Sequence, residues 1–189
     1  MRRLLIALAL MSAAGPALAD DTVLNRLVAD YEAYALSQDP IGAGREGDRA
    51  ALAKLPDPSN GADVLRRSNF EEFKGRLAAI DPAGLSPPAR LNRDFLAWTL
   101  DRRLRSLAFD EARMPFNSDS GFDQDMGYVA ATTHLDSEAE AQAWIARLKA
   151  LPRFYIRNTE NARRGGKTGF TQPQSTSQPV ADRPRTAAA

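Results

Sequence analysis

The stretch NFEEFKGRLAAIDPAGLSPPARLNRDFLAWTLDRRLRSLAF, residues 69–109, decides the fold. Phe70, Phe73, Leu77 and Ile80 are spaced 3, 4 and 3 residues apart, which lines one face of an α-helix. Asp81-Pro82-Ala83-Gly84-Leu85 breaks that helix, because proline disfavours helical geometry in the residue before it and glycine is permissive. Ser86-Pro87 restarts it. Serine suits an N-cap, and proline suits the first helical position, where no amide donor is needed. The second arm carries Leu91, Phe95 and Trp98, with Leu96, Leu100, Leu104 and Leu107 beside them. Two adjacent stripes make a wide apolar face and predict more than one neighbour. The fold class is therefore all-α: antiparallel helical hairpins joined by irregular loops. Nothing in the hairpin is catalytic by itself.

Working outward, Asp20 to Ser37 reads as a helix with Val23, Leu27, Tyr31 and Tyr34/Ala35 as its inner stripe and Leu24 and Val28 beside it. Asp39-Pro40 ends it. Ile41 to Ala62 reads as irregular, punctuated by glycine and proline, with a short helical turn around Arg49–Leu55 and Ser59 or Asn60 as the next cap. Asp110 to Thr133 has no clean period and reads as an extended loop with turns. Ser137-Glu138-Ala139-Glu140 is a capping box. The helix it opens carries Trp144, Leu148 and Leu151. Pro152 kinks it or begins a second helix, and Gly165-Gly166 is the expected stop. Gln174 to Ala189 holds almost no apolar bulk and reads as a disordered tail.

The N-terminus reads as an address. Met1-Arg2-Arg3 is a basic n-region, Leu4 to Met11 an apolar h-region, and Ala17-Leu18-Ala19 a small-x-small cleavage site. Together they predict a secretory signal peptide over residues 1–19, cut before Asp20. The expected organisation is a signal peptide at 1–19, a helical domain at 20–173 and a tail at 174–189. The product is expected to be exported, periplasmic or secreted, with no stable membrane span. Without cysteine, neither a disulfide nor a lipoprotein anchor is available. The formal net charge of +1 supplies no field for nucleic acid, and no basic stripe with interleaved aromatics is present.

The chemistry of sites is sparse. His134 is the single histidine, so a zinc site lacks its three or four ligands, and no Gly-x-Ser-x-Gly elbow supports a triad. Gly166-Lys167-Thr168 resembles the end of a phosphate loop, but position 161 is Asn161 and a helix precedes it where a strand is needed. Gly42 to Gly47 likewise lacks a preceding strand. Asp119, Asp123 and Asp125 alternate as in a calcium loop without its glycine and glutamate positions. Paired carboxylates such as Glu71/Glu72 lie on polar helix faces. No residue is assigned a catalytic, cofactor-binding or metal-binding role. Asn117 and Gly121, in the Met114–Asp123 loop, are the candidates for a substrate-cleft wall, on the prior that long loops in helical proteins carry function.

A first helix ending in Asp39-Pro40 is followed by Arg76-Leu77-Ala78-Ala79-Ile80-Asp81 with Leu85-Ser86, and by Arg90-Leu91-Asn92-Arg93-Asp94-Phe95-Leu96. Then come Met114-Pro115-Phe116-Asn117 with Gly121, Arg147-Leu148-Lys149-Ala150-Leu151-Pro152 and Gly169-Phe170-Thr171-Gln172-Pro173. In that order and spacing, the sequence from Leu24 to Pro173 resembles the N-terminal part of the bacterial domain-of-unknown-function 885 family. The resemblance implies a mostly helical, exported protein, several times longer in its complete form. Complete members look like zinc metallopeptidases, with His-Glu-x-x-His in the C-terminal half. That motif is absent here, so no metal ligand carries over, and zinc is implied for full-length relatives alone.

Two readings follow. In the first, the chain is a truncated or frame-shifted, non-catalytic N-terminal fragment of a peptidase-like hydrolase. Its expected partner is then the missing C-terminal catalytic region, with a peptide as the substrate of the whole. In the second, it is a self-sufficient periplasmic helical module that binds a partner through an exposed face. Under either reading the Leu91–Leu107 arm predicts an exposed apolar patch.

Overall fold

The computed structural model describes the backbone of residues 17–187 and the side chains of residues 19–182. Among these, seven α-helices and three short 3₁₀ turns account for the fold, and no strand forms. The helices are α1 (Ala17–Gln38), α2 (Pro40–Arg45), α3 (Asn60–Ala78), α4 (Pro87–Phe109), α5 (Asp125–Thr132), α6 (Glu138–Thr168) and α7 (Gln174–Ala187). No helix of the described residues is long and apolar enough to cross a membrane. The expected signal peptide lies largely outside the described residues; its cleavage point falls in the first turn of α1.

The α3–α4 hairpin forms as its sequence dictates. Ser59 caps α3 by accepting from the Ala62 amide, and Ser86 caps α4 by accepting from Ala89, with Pro87 in the first turn. Phe70, Phe73, Leu77 and Ile80 are all buried and meet α1 and α4 in one core. Tyr31 stands edge-on to Phe73, with centroids 5.6 Å apart, and Tyr34 edge-on to Phe70 at 5.8 Å. Such pairs add to what their buried area contributes.

One stripe turns out otherwise than expected, and one expected patch resolves to a single line. On α1 the inner line is Leu24, Leu27 and Tyr31, while Val23 is 56% exposed. Steps of three and four track a 3.6-residue turn, whereas the 23–27–31 line takes two steps of four and drifts off the face. On α4 one stripe is inside: Ala89, Leu96 and Leu100 are buried, and Leu104 and Leu107 pack against them. The other stripe faces out, with Leu91 70%, Phe95 65% and Trp98 54% exposed.

The segment expected to be irregular, 41–62, is more ordered than its glycines suggest. Asp39 caps α2 with its Oδ1 on the Gly42 amide at 3.0 Å, and Pro40 takes a first-turn position. An Asp-Pro pair is thus both a helix stop and a helix start. Asp48 then caps the Arg49–Ala53 turn through the amides of Ala50 and Ala51. In the stretch read as a loop, α5 forms with Met126 and Val129 buried. At 8 residues it is too short to show a period.

Helix α6 is one continuous run of 31 residues with Pro152 inside it. Ser137 accepts from the Glu140 amide at 3.3 Å, and the Glu140 carboxylate reaches back to the Asp136 amide at 2.6 Å. Its stop is Gly169, in the left-handed region at φ 71, and not Gly165-Gly166. The expected tail is also helical over Gln174–Ala187. Thr176 and Val180 are half-buried, one turn apart on one side of α7, a seating that bulk composition does not reveal.

Arg157 of α6 pairs with Asp57 in the segment before α3. Burial pushes the Asp57 carboxyl up, but hydrogen bonds from Arg157 and Ser59 outweigh it and hold it at about 2. A depressed carboxylate contributes stability that is present above its unfolded value and is lost as pH falls through the folded one. Stability should therefore fall between about pH 4 and pH 2, by about 1 kcal/mol from this pair, since Asp57 is half exposed and screened. Urea denaturation of Arg157→Gln across that range should show a flatter acid limb.

Candidate functional site

The inner face of α6 is polar. Arg147, Asn158, Asn161 and Gly165 are its buried residues, and with Leu151 and Phe154 they recur every three or four positions. Of Trp144, Leu148 and Leu151, the apolar residues the sequence reading named on this helix, Trp144 and Leu151 are half-buried on the inner side, whereas Leu148 is 42% exposed and Arg147 only 1%. What this polar face meets explains it. Nη2 of Arg147 donates to the carbonyls of Pro40 at 3.2 Å and Ala51 at 2.8 Å. Nδ2 of Asn161 donates to the Pro58 carbonyl at 2.7 Å. Backbone carbonyls that leave water need partners, and α6 provides them for segment 40–58.

Around Arg147 lies a cavity of about 220 Å³, lined in part by Ile41, Arg45, Leu52, Val129, His134 and Arg147. Three elements and a turn position these groups: α2, the Arg49–Ala53 turn, the end of α5 and the first half of α6. Arg147 stacks over the Trp144 ring at 5.4 Å. Burial pushes its pKa down, yet a guanidinium remains charged at any physiological pH. Arg49, on the rim, is held by Glu140 at 3.0 Å and Asp136 at 3.7 Å. His134 is exposed in the turn before α6.

A second cluster closes the other end of α6. Asp110 ends α4 in the left-handed region at φ 58, a conformation that a short polar side chain tolerates. Its carboxylate holds Arg113 at 3.3 Å and also Arg164. Arg113 lies over the Phe170 ring at 4.2 Å, and Phe170 stands edge-on to Phe109 at 5.1 Å. Gln172 Nε2 donates to Met114 Sδ at 3.6 Å. The Gly169–Pro173 and Met114–Asn117 stretches, far apart in sequence, thus meet here.

The sequence candidates Asn117 and Gly121 belong to a tight turn in this region, away from the Arg147 cavity. The Asn117 Oδ1 accepts from the amides of Asp119 and Ser120, and its Nδ2 donates to Ser120 Oγ. Gly121 pairs with Phe116 in an isolated antiparallel bridge. A Cβ there would stand 2.5 Å from Phe116 Cβ, so close approach requires glycine. Both residues are accounted for by the turn itself. Arg147 was missed because an arginine within an apolar-periodic run reads as surface. The signal for it is its position, three residues after Trp144 and four before Leu151.

The residues present do not fit the zinc centre that the resemblance implies for complete proteins. One histidine and no cysteine are available. Among the described residues no group of three His, Cys, Asp or Glu is placed to hold a metal ion.

The profile of a bacterial family described as protein of unknown function (DUF885) matches residues 40–189. The chain belongs to this family. The DUF885 match takes in the Arg147 cavity, the Asp110 cluster and the 174–189 stretch that composition set apart as a tail. No curated protein and no solved structure matches the chain.

Proposed function

We propose that this chain is a non-catalytic helical scaffold of an exported, peptidase-like DUF885 hydrolase. The chemistry would reside in a C-terminal region that carries His-Glu-x-x-His and its zinc. The observation that supports this reading is the outer face of α4. Leu91, Phe95 and Trp98 lie along it one turn apart and more than half exposed. Phe95 and Trp98 stack at 5.8 Å, and Arg102 lies over Trp98 at 5.6 Å. The helix already fills the core with its other stripe, so this second stripe is surplus to the chain's own packing. Contiguous exposed apolar surface of this kind marks contact with another protein surface. Export rests on the n-region, h-region and Ala17-Leu18-Ala19 pattern. The Met114–Asp123 turn, rigid by its own hydrogen bonds, would shape a cleft wall without supplying a reacting group.

Co-expression with the His-Glu-x-x-His region of a longer family member tests the reading. The two should co-purify, and Leu91→Gln, Phe95→Gln and Trp98→Gln together should abolish it. The same triple variant should raise the soluble yield of the lone chain. Its stability should change by less than about 1.5 kcal/mol, because exposed substitutions each fall within about 0.5 kcal/mol. Retained co-purification in the triple variant would sink the docking role. Zinc-dependent peptide hydrolysis by the chain alone would sink the non-catalytic one.

A further inference from the structure

Arg147 carries more hydrogen-bonding capacity than its contacts with Pro40 and Ala51 use. Both of those bonds are made by Nη2, and Nε has no hydrogen-bond partner among the described residues. No carboxylate of the described residues pairs with it, although the side chain is 1% exposed. A buried charge without a counter-charge is costly, and here it lines open volume: the cavity of about 220 Å³.

The rest of the lining narrows what would fit. Arg49 is already neutralised by Glu140 and Asp136. The hydroxyls of Thr132 and Thr133 donate to backbone carbonyls of α5. Arg45 lies over the Tyr128 ring at 5.3 Å and pairs with no carboxylate of the described residues. Two unneutralised guanidinium groups therefore share the cavity with Ile41, Leu52 and Val129. Guanidinium groups recognise carboxylates through charge-assisted hydrogen bonds, and the three aliphatic side chains favour an apolar body beside the charge.

We propose that this cavity binds a small aliphatic carboxylate, with its charge on Arg147 and Arg45 and its body against Ile41, Leu52 and Val129. The carboxylate group is common to a free acid and to the C-terminal residue of a peptide. The site does not depend on the scaffold reading, and it is tested on the chain alone.

The full chain, isotopically labelled, is titrated with N-acetyl-leucine while the amide shifts of Gly44, Val129 and Thr133 are followed. Saturable shifts confined to this region are expected. N-acetyl-leucinamide, which keeps the body and loses the charge, should bind at least about tenfold more weakly. Arg45→Gln should weaken N-acetyl-leucine about fivefold while leaving the rest of the spectrum unchanged. This variant carries the test if Arg147 variants fail to fold. A short acetylated peptide ending in leucine identifies the source: tighter binding than N-acetyl-leucine assigns a peptide C-terminus, and weaker binding a free acid. Equal binding of acid and amide, no saturable shift by about 50 mM, or tighter binding of inorganic phosphate would each overturn the proposal.

Discussion

Gly165→Ala should lower stability by about 3 kcal/mol, and the neighbouring Gly166→Ala should raise it by up to about 1 kcal/mol. Both glycines sit inside α6, where alanine is intrinsically the better residue. They differ in what a methyl group would meet. At Gly165 a Cβ would lie 2.3 Å from the Arg113 carbonyl oxygen and 2.6 Å from that of Phe170. Both are backbone atoms, so relief requires α6 to move off the Arg113 turn or the chain after Gly169 to shift. At Gly166 nothing lies within 4 Å. Thermal melts of the two variants side by side separate packing from propensity. Gly165→Ala should melt roughly 6–12 °C lower, and equal melting temperatures would mean that the close approach does not exist in solution.

Arg147→Met should cost about 2–4 kcal/mol. The substitution removes two charge-assisted hydrogen bonds and leaves the Pro40 and Ala51 carbonyls without the donors seen in the structure. Relief of burying an unneutralised cation offsets part of that loss, which is why the figure stays below the sum of two such bonds. Arg147→Lys keeps the charge, but one ammonium reproduces neither the planar fork nor the stack on Trp144; about half the loss should remain. Urea denaturation followed by far-ultraviolet circular dichroism measures both. A loss under about 0.5 kcal/mol for Arg147→Met would show that water solvates those carbonyls.

How much of this was legible depended on whether a residue's role was set locally. The α3–α4 hairpin was, because Phe70, Phe73, Leu77 and Ile80 repeat a helical period and Ser86-Pro87 is a start signal carried by two adjacent residues. The capping box at Ser137 was readable for the same reason. The orientation of α1 and the choice of one α4 stripe over the other were not. Each required knowing which neighbour arrives, and Val23, Leu91, Phe95 and Trp98 look as apolar as the residues that ended inside. Gly165-Gly166 misled because glycine marks either a helix end or a close approach. The sequence carries no sign that the Arg113 carbonyl lies against that point. Arg147 was the hardest, since its burial follows from carbonyls 96 and 107 residues away.

That separation has a temporal side. Helices α3 and α4 are neighbours in the chain, and their shared core closes across a short turn. The bonds of Arg147 close loops of 96 and 107 residues, and high contact order slows folding. On a ribosome adding roughly 5–20 residues per second, segment 40–58 emerges on the order of 5–20 seconds before the half of α6 that completes it. During that interval its carbonyls are served by water or by whatever else binds exposed backbone. A nascent chain stalled before Arg147 would therefore present the hairpin already folded and the future cavity wall still open to chaperones and proteases.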